Sequence, residues 1–248
     1  MEIETLDNTT VAQLVAADYR TAEIFKRYGI DFCCGGKKSI ASVCRQKNIS
    51  AEQLQLEILA LQNTSATPKH NFSDWQAGFL ADYIVNVHHT YVKNNLAPIT
   101  EFANKVALVH GDHNPETREI ATLWKQLAEE LTLHLNKEES ILFPWIKLLE
   151  SHVNSNSALA AGTYTGSVKR PVQVMEHEHD MAGDLIKRIQ KLSNNFTPPE
   201  HACNTYRVLY AKLQEFENDL FEHIHLENNL LFEKAIILEE TLEHEKMK

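Results

Sequence analysis

The sequence predicts an all-α protein. Helical spacing of apolar residues runs through most of its 248 residues, which include only eight glycines and seven prolines. No segment alternates β-branched and polar residues as a half-buried strand would. The pattern gives short helices near the N-terminus and four longer ones after residue 72. We therefore predict a four-helix bundle preceded by a small helical domain.

The N-terminal part, residues 1–62, predicts four short helices. Gly29 is a typical C-terminal cap residue, and Ser50 is a typical N-cap. The following residues, 63–72, are mostly polar and include a proline, as linkers often do. We place the domain boundary there, so that the bundle occupies residues 73–248. The predicted short helices are Val11–Ala17, Thr21–Tyr28, Lys38–Gln46 and Ala51–Leu61.

Four longer helical patterns follow the linker. Pro98 is expected to bend the first and Pro144 to kink the second, because proline removes a helical hydrogen bond. Facing side chains in the core of such a bundle commonly hold cofactors or metal ions. The predicted helices are approximately Asp74–His110, Pro115–Glu150, Val172–Ser193 and Pro199–Leu238.

Composition excludes several classes of function. The formal net charge is −10, and no dense run of lysine and arginine offers a surface for nucleic acid. No apolar run approaches the roughly 18 residues of a membrane span, and the first residues are acidic, unlike a secretory signal. Four cysteines suggest reduced thiols better than a disulfide framework. We expect a cytoplasmic protein with no membrane or nucleic-acid partner.

Two distant stretches repeat one pattern: a histidine, a glutamate four residues later, and then a leucine and a phenylalanine. Residues four apart share a helix face, so each stretch could form half of a metal site. A single such pair is usually a surface ion pair, but two in matched contexts favour a shared buried site. The stretches contain His134, Glu138, Leu142 and Phe143, and His223, Glu227, Leu231 and Phe232.

Helical phase selects the remaining candidate ligands. His89 and His110 share a broad face of the first helix if that helix continues through Pro98. In the third helix His179 is in phase with the apolar residues, whereas His177 points away. His88 and His225 adjoin candidates and are expected to face elsewhere, although either could be a spare ligand. The predicted metal ligands are His89, His110, His134, Glu138, His179, His223 and Glu227.

Seven ligands are too many for one tetrahedral zinc ion and suit two ions of higher coordination number. Imidazole and carboxylate without thiolate favour iron or manganese, and two bridging glutamates would hold the ions roughly 3.5–4 Å apart. We choose iron on chemical grounds. Glu130, Glu178 and Asp219 could bond the outer ring nitrogens of the ligands, the alternative being that they are exposed carboxylates.

Cys33 and Cys34 are adjacent and would form a disulfide with each other only in a strained ring. Two glycines and two lysines follow directly, and a helix is predicted to begin near Lys38. These features predict a low thiol pKa and a redox or transfer role for both cysteines. The alternative is that they are half-buried packing residues, as we expect for Cys44 and Cys203.

The chain resembles the RIC family, the hemerythrin-like di-iron proteins known as repair of iron centres. The resemblance extends over essentially the whole chain and implies two irons on the same seven ligands, with Glu138 and Glu227 as bridges. It also implies a hemerythrin-like bundle and a homodimer. At His225 some relatives have a small polar residue. The matching segments are Tyr28–Gly36, His88-His89, Val109-His110, His134–Glu139, Glu178–Asp180 and His223–Asn229.

The resemblance implies repair of iron–sulfur clusters after nitrosative or oxidative stress. The clients would be damaged iron–sulfur proteins, served by iron delivery or by redox or nitric oxide chemistry, with Cys33 and Cys34 assisting. Such a protein need not be an enzyme with turnover. The alternatives are a hemerythrin-like carrier or sensor of O₂ or NO, and an NO-reducing oxidoreductase.

Overall fold

The computed structural model describes residues 9–62, 71–155 and 166–246 and confirms the all-α prediction. The described residues contain no β-strand; one isolated bridge pairs Thr10 with Ser39. No helix among these residues combines the length and apolarity required to cross a bilayer. Of the predicted linker, residues 63–70 lie outside the described part of the chain, and Phe72 begins a short 3₁₀ turn, Phe72–Asp74.

Four short helices form at the N-terminal end, close to the predicted positions. Thr10 and Gln13 cap the first reciprocally, with bonds of 3.2 and 2.9 Å. Gly29, at φ 61°, ends the second in a Schellman motif, as Ile30 N–H donates to the Phe25 carbonyl. Local capping contacts therefore fix where the first helix begins and where the second ends. The helices are α1 Val11–Ala17, α2 Thr21–Arg27, α3 Ile40–Lys47 and α4 Ala51–Gln62.

Four long helices form the bundle, and three of them contain a π-helical turn. Helix α5 comprises Ala77–Ile84, the π turn Val85–His89 and Thr90–His110. Helix α6 comprises Glu116–Lys137, the π turn Glu138–Leu142 and Phe143–Ser155, and α7 is Lys169–Leu192. Helix α8 comprises Asn204–Leu226, the π turn Glu227–Leu231 and Phe232–Lys246.

Pro98 in α5 and Pro144 in α6 affect their helices differently. The α5 segment continues through Pro98. In α6 the π turn directly precedes Pro144, whose missing N–H cannot bond the carbonyl four residues earlier. The wider turn is the local irregularity expected at such a position.

Apolar side chains fill the bundle in two clusters. One contains Trp124 and Phe216 and extends to Phe25 of the N-terminal domain. The other contains Phe143 and Phe232. Each long helix passes from one cluster to the other, and the candidate ligands lie between them. Two apolar blocks therefore enclose one polar layer.

The N-terminal helices pack directly on the bundle. Phe32 meets Phe221 of α8 edge to face, with ring centroids 6.2 Å apart. Lys26 pairs with the fully buried Glu217 at 2.7 Å. This docking places the cysteine pair next to the polar layer of the bundle.

Candidate metal centre

The three π turns lie where candidate ligands occur. Glu138 and Glu227 are each the first residue of a π turn, and His89 is the last residue of another. An additional residue in a turn shifts the phase of the helix, and π turns are frequent at functional sites for this reason. Leu142 and Leu231, each four residues after one of these glutamates, are buried in the core.

Six ligand candidates meet in two groups that share both glutamates. Within each group the candidate ligand atoms lie within 4.8 Å of one another. Glu138 and Glu227 are each 0% exposed, so both carboxylates are removed from water. The shared carboxylates could therefore bridge two ions. The first group is His89, Glu138, His223 and Glu227, and the second is His134, Glu138, His179 and Glu227.

The distances fit a cation in each group. His134 and His179 point their Nε2 atoms at each other, 3.0 Å apart. Neighbouring ligands of an octahedral ion with bonds of about 2.1 Å lie about 3.0 Å apart. Both oxygens of Glu138 and one oxygen of Glu227 have no hydrogen-bond partner among the described residues. Buried carboxylate oxygens are costly when unpaired, and metal ions would satisfy them.

Without an ion, the carboxylates hold protons on two of the histidines. Burial opposes charge on His89, but the carboxylates of Glu138 and Glu227, 3.4 and 3.6 Å from its Nε2, outweigh it and raise its pKa to about 10. Burial likewise opposes charge on His134, and the attraction of Glu138 raises its pKa to about 9. Burial and Glu227 would raise the pKa of Glu138, yet His134 and His89 lower it to about 2. His89 in one group and His134 in the other are therefore imidazolium ions at neutral pH.

These pKa values predict that ion binding depends on pH. An ion in either group must displace the proton of His89 or of His134, so its apparent affinity should rise about tenfold per pH unit up to the pKa of that histidine, about 10 or about 9. Competition with a chelator at several pH values measures this slope, and calorimetry in buffers of different ionisation enthalpy counts the protons released. An affinity independent of pH would contradict the protonation described here.

The same shifts govern the stability of the ion-free protein. His134 has a folded pKa of about 9, above its ordinary value of 6.5. Its stabilising contribution is therefore complete below pH 6.5 and is lost as the pH rises toward 9.

Side chains outside the two groups orient three of the four histidines. Their Nδ1 atoms each bond one partner, and such contacts fix the ring and its tautomer. The anionic partners are themselves paired: Glu139 with Lys93 at 2.6 Å, and Glu178 with Lys137. His223 Nδ1 has no hydrogen-bond partner among the described residues. The pairs are His89 with Glu139 at 2.7 Å, His134 with Glu178 at 2.9 Å and His179 with Asn228 at 2.8 Å.

The structure does not bring His110 to this centre. It ends α5, where its Nε2 lies 3.2 Å from Cys203 Sγ and its ring packs against Tyr206. The helical phase of His89 and His110 is similar, but 21 residues at 1.5 Å per residue place them about 30 Å apart along the axis. Helical phase alone does not contain this axial distance. His110 therefore does not belong with the six ligands.

Other candidates lie around the centre rather than in it. Glu178 holds a ligand, as the sequence suggested, whereas Asp219 bonds His88 at 3.0 Å and Glu130 accepts from Gln126 at 2.9 Å. His88 and His225 are both buried, yet neither is in the two groups. Glu139 and Asn228 were not predicted from the sequence as partners of the histidines. Each directly follows a ligand glutamate, which is the one signal that could have indicated them.

The cysteine pair lies on a loop that contacts the α8 π turn. Asp31 Oδ1 accepts the backbone N–H groups of Cys33, Cys34 and Gly35 at 3.0–3.1 Å. Asn229 Nδ2 donates to the Cys33 carbonyl at 3.0 Å. The neighbouring Asn228 holds the ligand His179. Two consecutive asparagines therefore connect the cysteine loop with the candidate metal centre.

The prediction of a low thiol pKa was wrong for Cys33. Its hydrogen bond with Cys34 and its burial raise the pKa well above the ordinary value. Lys37 does not reach the thiols, because it pairs with Glu176 of α7 at 2.6 Å. The helix after the loop begins at Ile40, two residues later than predicted. A cation beside the loop is Lys187 of α7, which is bonded to Asp31.

Comparisons with known proteins agree with this architecture. Residues 80–235 match the hemerythrin HHE cation binding domain, and residues 7–62 match ScdA_N, a domain of unknown function. "Iron-sulfur cluster repair protein YtfE" of Yersinia pseudotuberculosis serotype O:1b is 38% identical over 232 residues, 92% of this chain and 97% of that protein. The protein of the same name from Yersinia pestis (strain Pestoides F) is 37% identical over the same shares.

Proposed function

Because the chain belongs to the hemerythrin HHE cation binding family, in the group that also has a ScdA_N domain, we propose that it repairs iron–sulfur clusters. Its clients are iron–sulfur proteins damaged by nitrosative or oxidative stress. The observation that carries the proposal is the pair of four-residue groups sharing Glu138 and Glu227 inside the bundle.

Two iron ions are the proposed occupants of these groups. Four imidazoles and two carboxylates, without a thiolate, form a ligand set suited to iron. When bound, iron would supply one-electron chemistry and coordination positions for nitric oxide or oxygen species. The six ligands proposed are His89, His134, Glu138, His179, His223 and Glu227.

Surrounding residues give this centre an approach from solvent. A pocket of about 240 Å³ reaches His134 and His179, and Glu130 and Glu178 line it. Lys137 also lines this pocket and pairs with Glu178, so the pocket provides access to the centre without a strong negative charge. The contact of Glu178 with His134 means that the same side chain both lines the entry and orients a ligand.

We assign Cys33 and Cys34 the transfer or redox step next to the bundle. All four cysteines are free, and a function that needs free thiols fits the reducing cytoplasm. The thiol domain is proposed to comprise residues 1–62 and the di-iron bundle residues 73–248. A homodimer and the binding of nitric oxide or O₂ stay predictions.

The proposal is tested by mixing iron-loaded protein with an iron–sulfur enzyme inactivated by nitric oxide. We expect the client enzyme to regain activity with the unaltered chain, but not with Glu138→Gln or with Cys33→Ser combined with Cys34→Ser. Cys203→Ser removes a thiol far from the centre and should leave recovery unchanged. Reversible gas binding without recovery would indicate a carrier or sensor, and sustained N₂O production would indicate an NO reductase.

A further inference from the structure

We propose that Asp31, Cys33 and Cys34 form a separate site for one divalent transition-metal ion, held in transit. One carboxylate oxygen and the two sulfurs lie within 4.8 Å of one another. None of the three residues belongs to the bundle groups, so this site would bind its ion independently. Only the description of the ion as iron in transit rests on the proposed function.

The sulfur separation suits a shared ion. Cys33 Sγ and Cys34 Sγ are 3.8 Å apart, too far for a disulfide. Two thiolates on one tetrahedral ion with metal–sulfur bonds of about 2.3 Å lie about 3.8 Å apart. The backbone N–H groups that Asp31 accepts fix its carboxylate 3.2 Å from Cys33 Sγ. The ligand atoms are thus already assembled before an ion arrives.

Charge balance favours a divalent ion. Lys187 Nζ lies 2.6 Å from Asp31 Oδ2. Burial would raise the pKa of Asp31, but the attraction of Lys187 outweighs it and keeps the carboxylate ionised. Together, one carboxylate, two thiolates and one ammonium have a net charge of two negative units, which a divalent cation neutralises.

The site can be reached from solvent and is connected to the bundle. A pocket of about 310 Å³ opens onto Asp31, Cys33 and Lys187. On the other side, Asn229 holds the Cys33 carbonyl at 3.0 Å, beside the asparagine that orients His179. The ion would therefore lie between an open pocket and the bundle centre.

Binding is a ligand exchange without electron transfer. The divalent ion forms one bond to each sulfur and one to the Asp31 carboxylate and gives up water ligands. Both S–H bonds break, and the two protons pass to the buffer. The loss of these protons should make binding stronger as the pH rises.

Cobalt(II) added to the full, metal-free chain tests the site. Thiolate coordination gives an intense sulfur-to-cobalt absorption band in the near ultraviolet, which imidazole and carboxylate sites lack. We expect the band to reach the intensity of one thiolate-bound cobalt per chain, because cobalt in the bundle groups has no thiolate ligand and adds nothing to it. The band should be absent from Cys33→Ser combined with Cys34→Ser, and half of its final intensity should require at least tenfold more free cobalt in Asp31→Asn. Cys203→Ser is the matched control and should titrate like the unaltered chain.

A second measurement needs no variant. Mass spectrometry after alkylation should show cobalt protecting Cys33 and Cys34 but leaving Cys203, which is exposed, as reactive as before. The proposal is overturned if the unaltered chain shows no band, or if the band persists in Cys33→Ser combined with Cys34→Ser. It is also overturned if cobalt protects neither Cys33 nor Cys34 from alkylation. The band can appear in a protein that repairs no cluster, so failure of the repair assay and failure of this site are distinguishable.

Discussion

Glu138→Gln should abolish the binding of both proposed ions in the bundle. Glu138 belongs to both groups, so one substitution removes a ligand from each. A glutamine amide keeps the size of the side chain but cannot supply a bridging negative charge. Loss of even an outer contact of a metal ligand costs 10–100-fold in affinity, so we expect the affinity for each ion to fall by more than about 100-fold. Elemental analysis after gel filtration with a weak chelator measures the ions retained.

His110→Ala is the matched control for this experiment. His110 has the same ring as the candidate ligands, but it is the last residue of α5 and contacts Cys203 and Tyr206. We expect this variant to retain as many ions as the unaltered chain. Loss of ions from His110→Ala, together with retention in Glu138→Gln, would show that the ligand assignment made from the structure is incorrect.

The sequence allowed prediction of the candidate ligands that lie one turn apart on the same helix and that the structure brings together. His134 with Glu138 and His223 with Glu227 follow from a four-residue spacing, since that spacing is defined by the geometry of a single helix. His110 was included because helical phase repeats indefinitely while position along the axis does not. Predicting that two residues many turns apart share a site therefore requires their distance along the helix axis as well as their phase.

The π turns could not be predicted from a period of 3.6 residues. Each inserts an additional residue, and its position depends on packing between helices as well as on local sequence. The outer partners were missed for a related reason. The contact of Glu139 with His89 joins two helices, and Asn228 reaches His179 across the bundle. Such pairs depend on how the helices are arranged in space.

The charged residues around the two thiols also could not be predicted from neighbouring positions in the sequence. Sequence neighbours suggested Lys37 as the cation near the cysteines, but folding pairs Lys37 with Glu176. Lys187, 156 residues from Asp31, takes that place instead. Adjacent charges predict a pKa only where tertiary structure does not redirect the side chains.

Gly36→Ala should displace the cysteine loop from the bundle. A Cβ atom at this position would lie 2.6 Å from the Phe32 carbonyl oxygen and 3.0 Å from both Ala12 Cβ and Asn229 Oδ1. The nearest of these atoms is backbone, so relief requires the loop to move, which costs about 1–3 kcal/mol. Movement would break the bond from Ala12 N–H to the Gly36 carbonyl. We expect lower stability in urea unfolding and faster alkylation of Cys33, which is 2% exposed.

Gly183→Ala separates this steric effect from a general effect of adding a methyl group near the thiols. Its Cβ would lie 3.7 Å from Cys34 Sγ, an ordinary contact, and Gly183 is inside α7. Alanine in a helix interior is favoured over glycine by about 1 kcal/mol, so this variant should be at least as stable as the unaltered chain. The bundle ions should remain in both variants, because their ligands come only from α5 to α8. Equal alkylation rates of Cys33 in the two variants would contradict the close packing of the loop at Gly36.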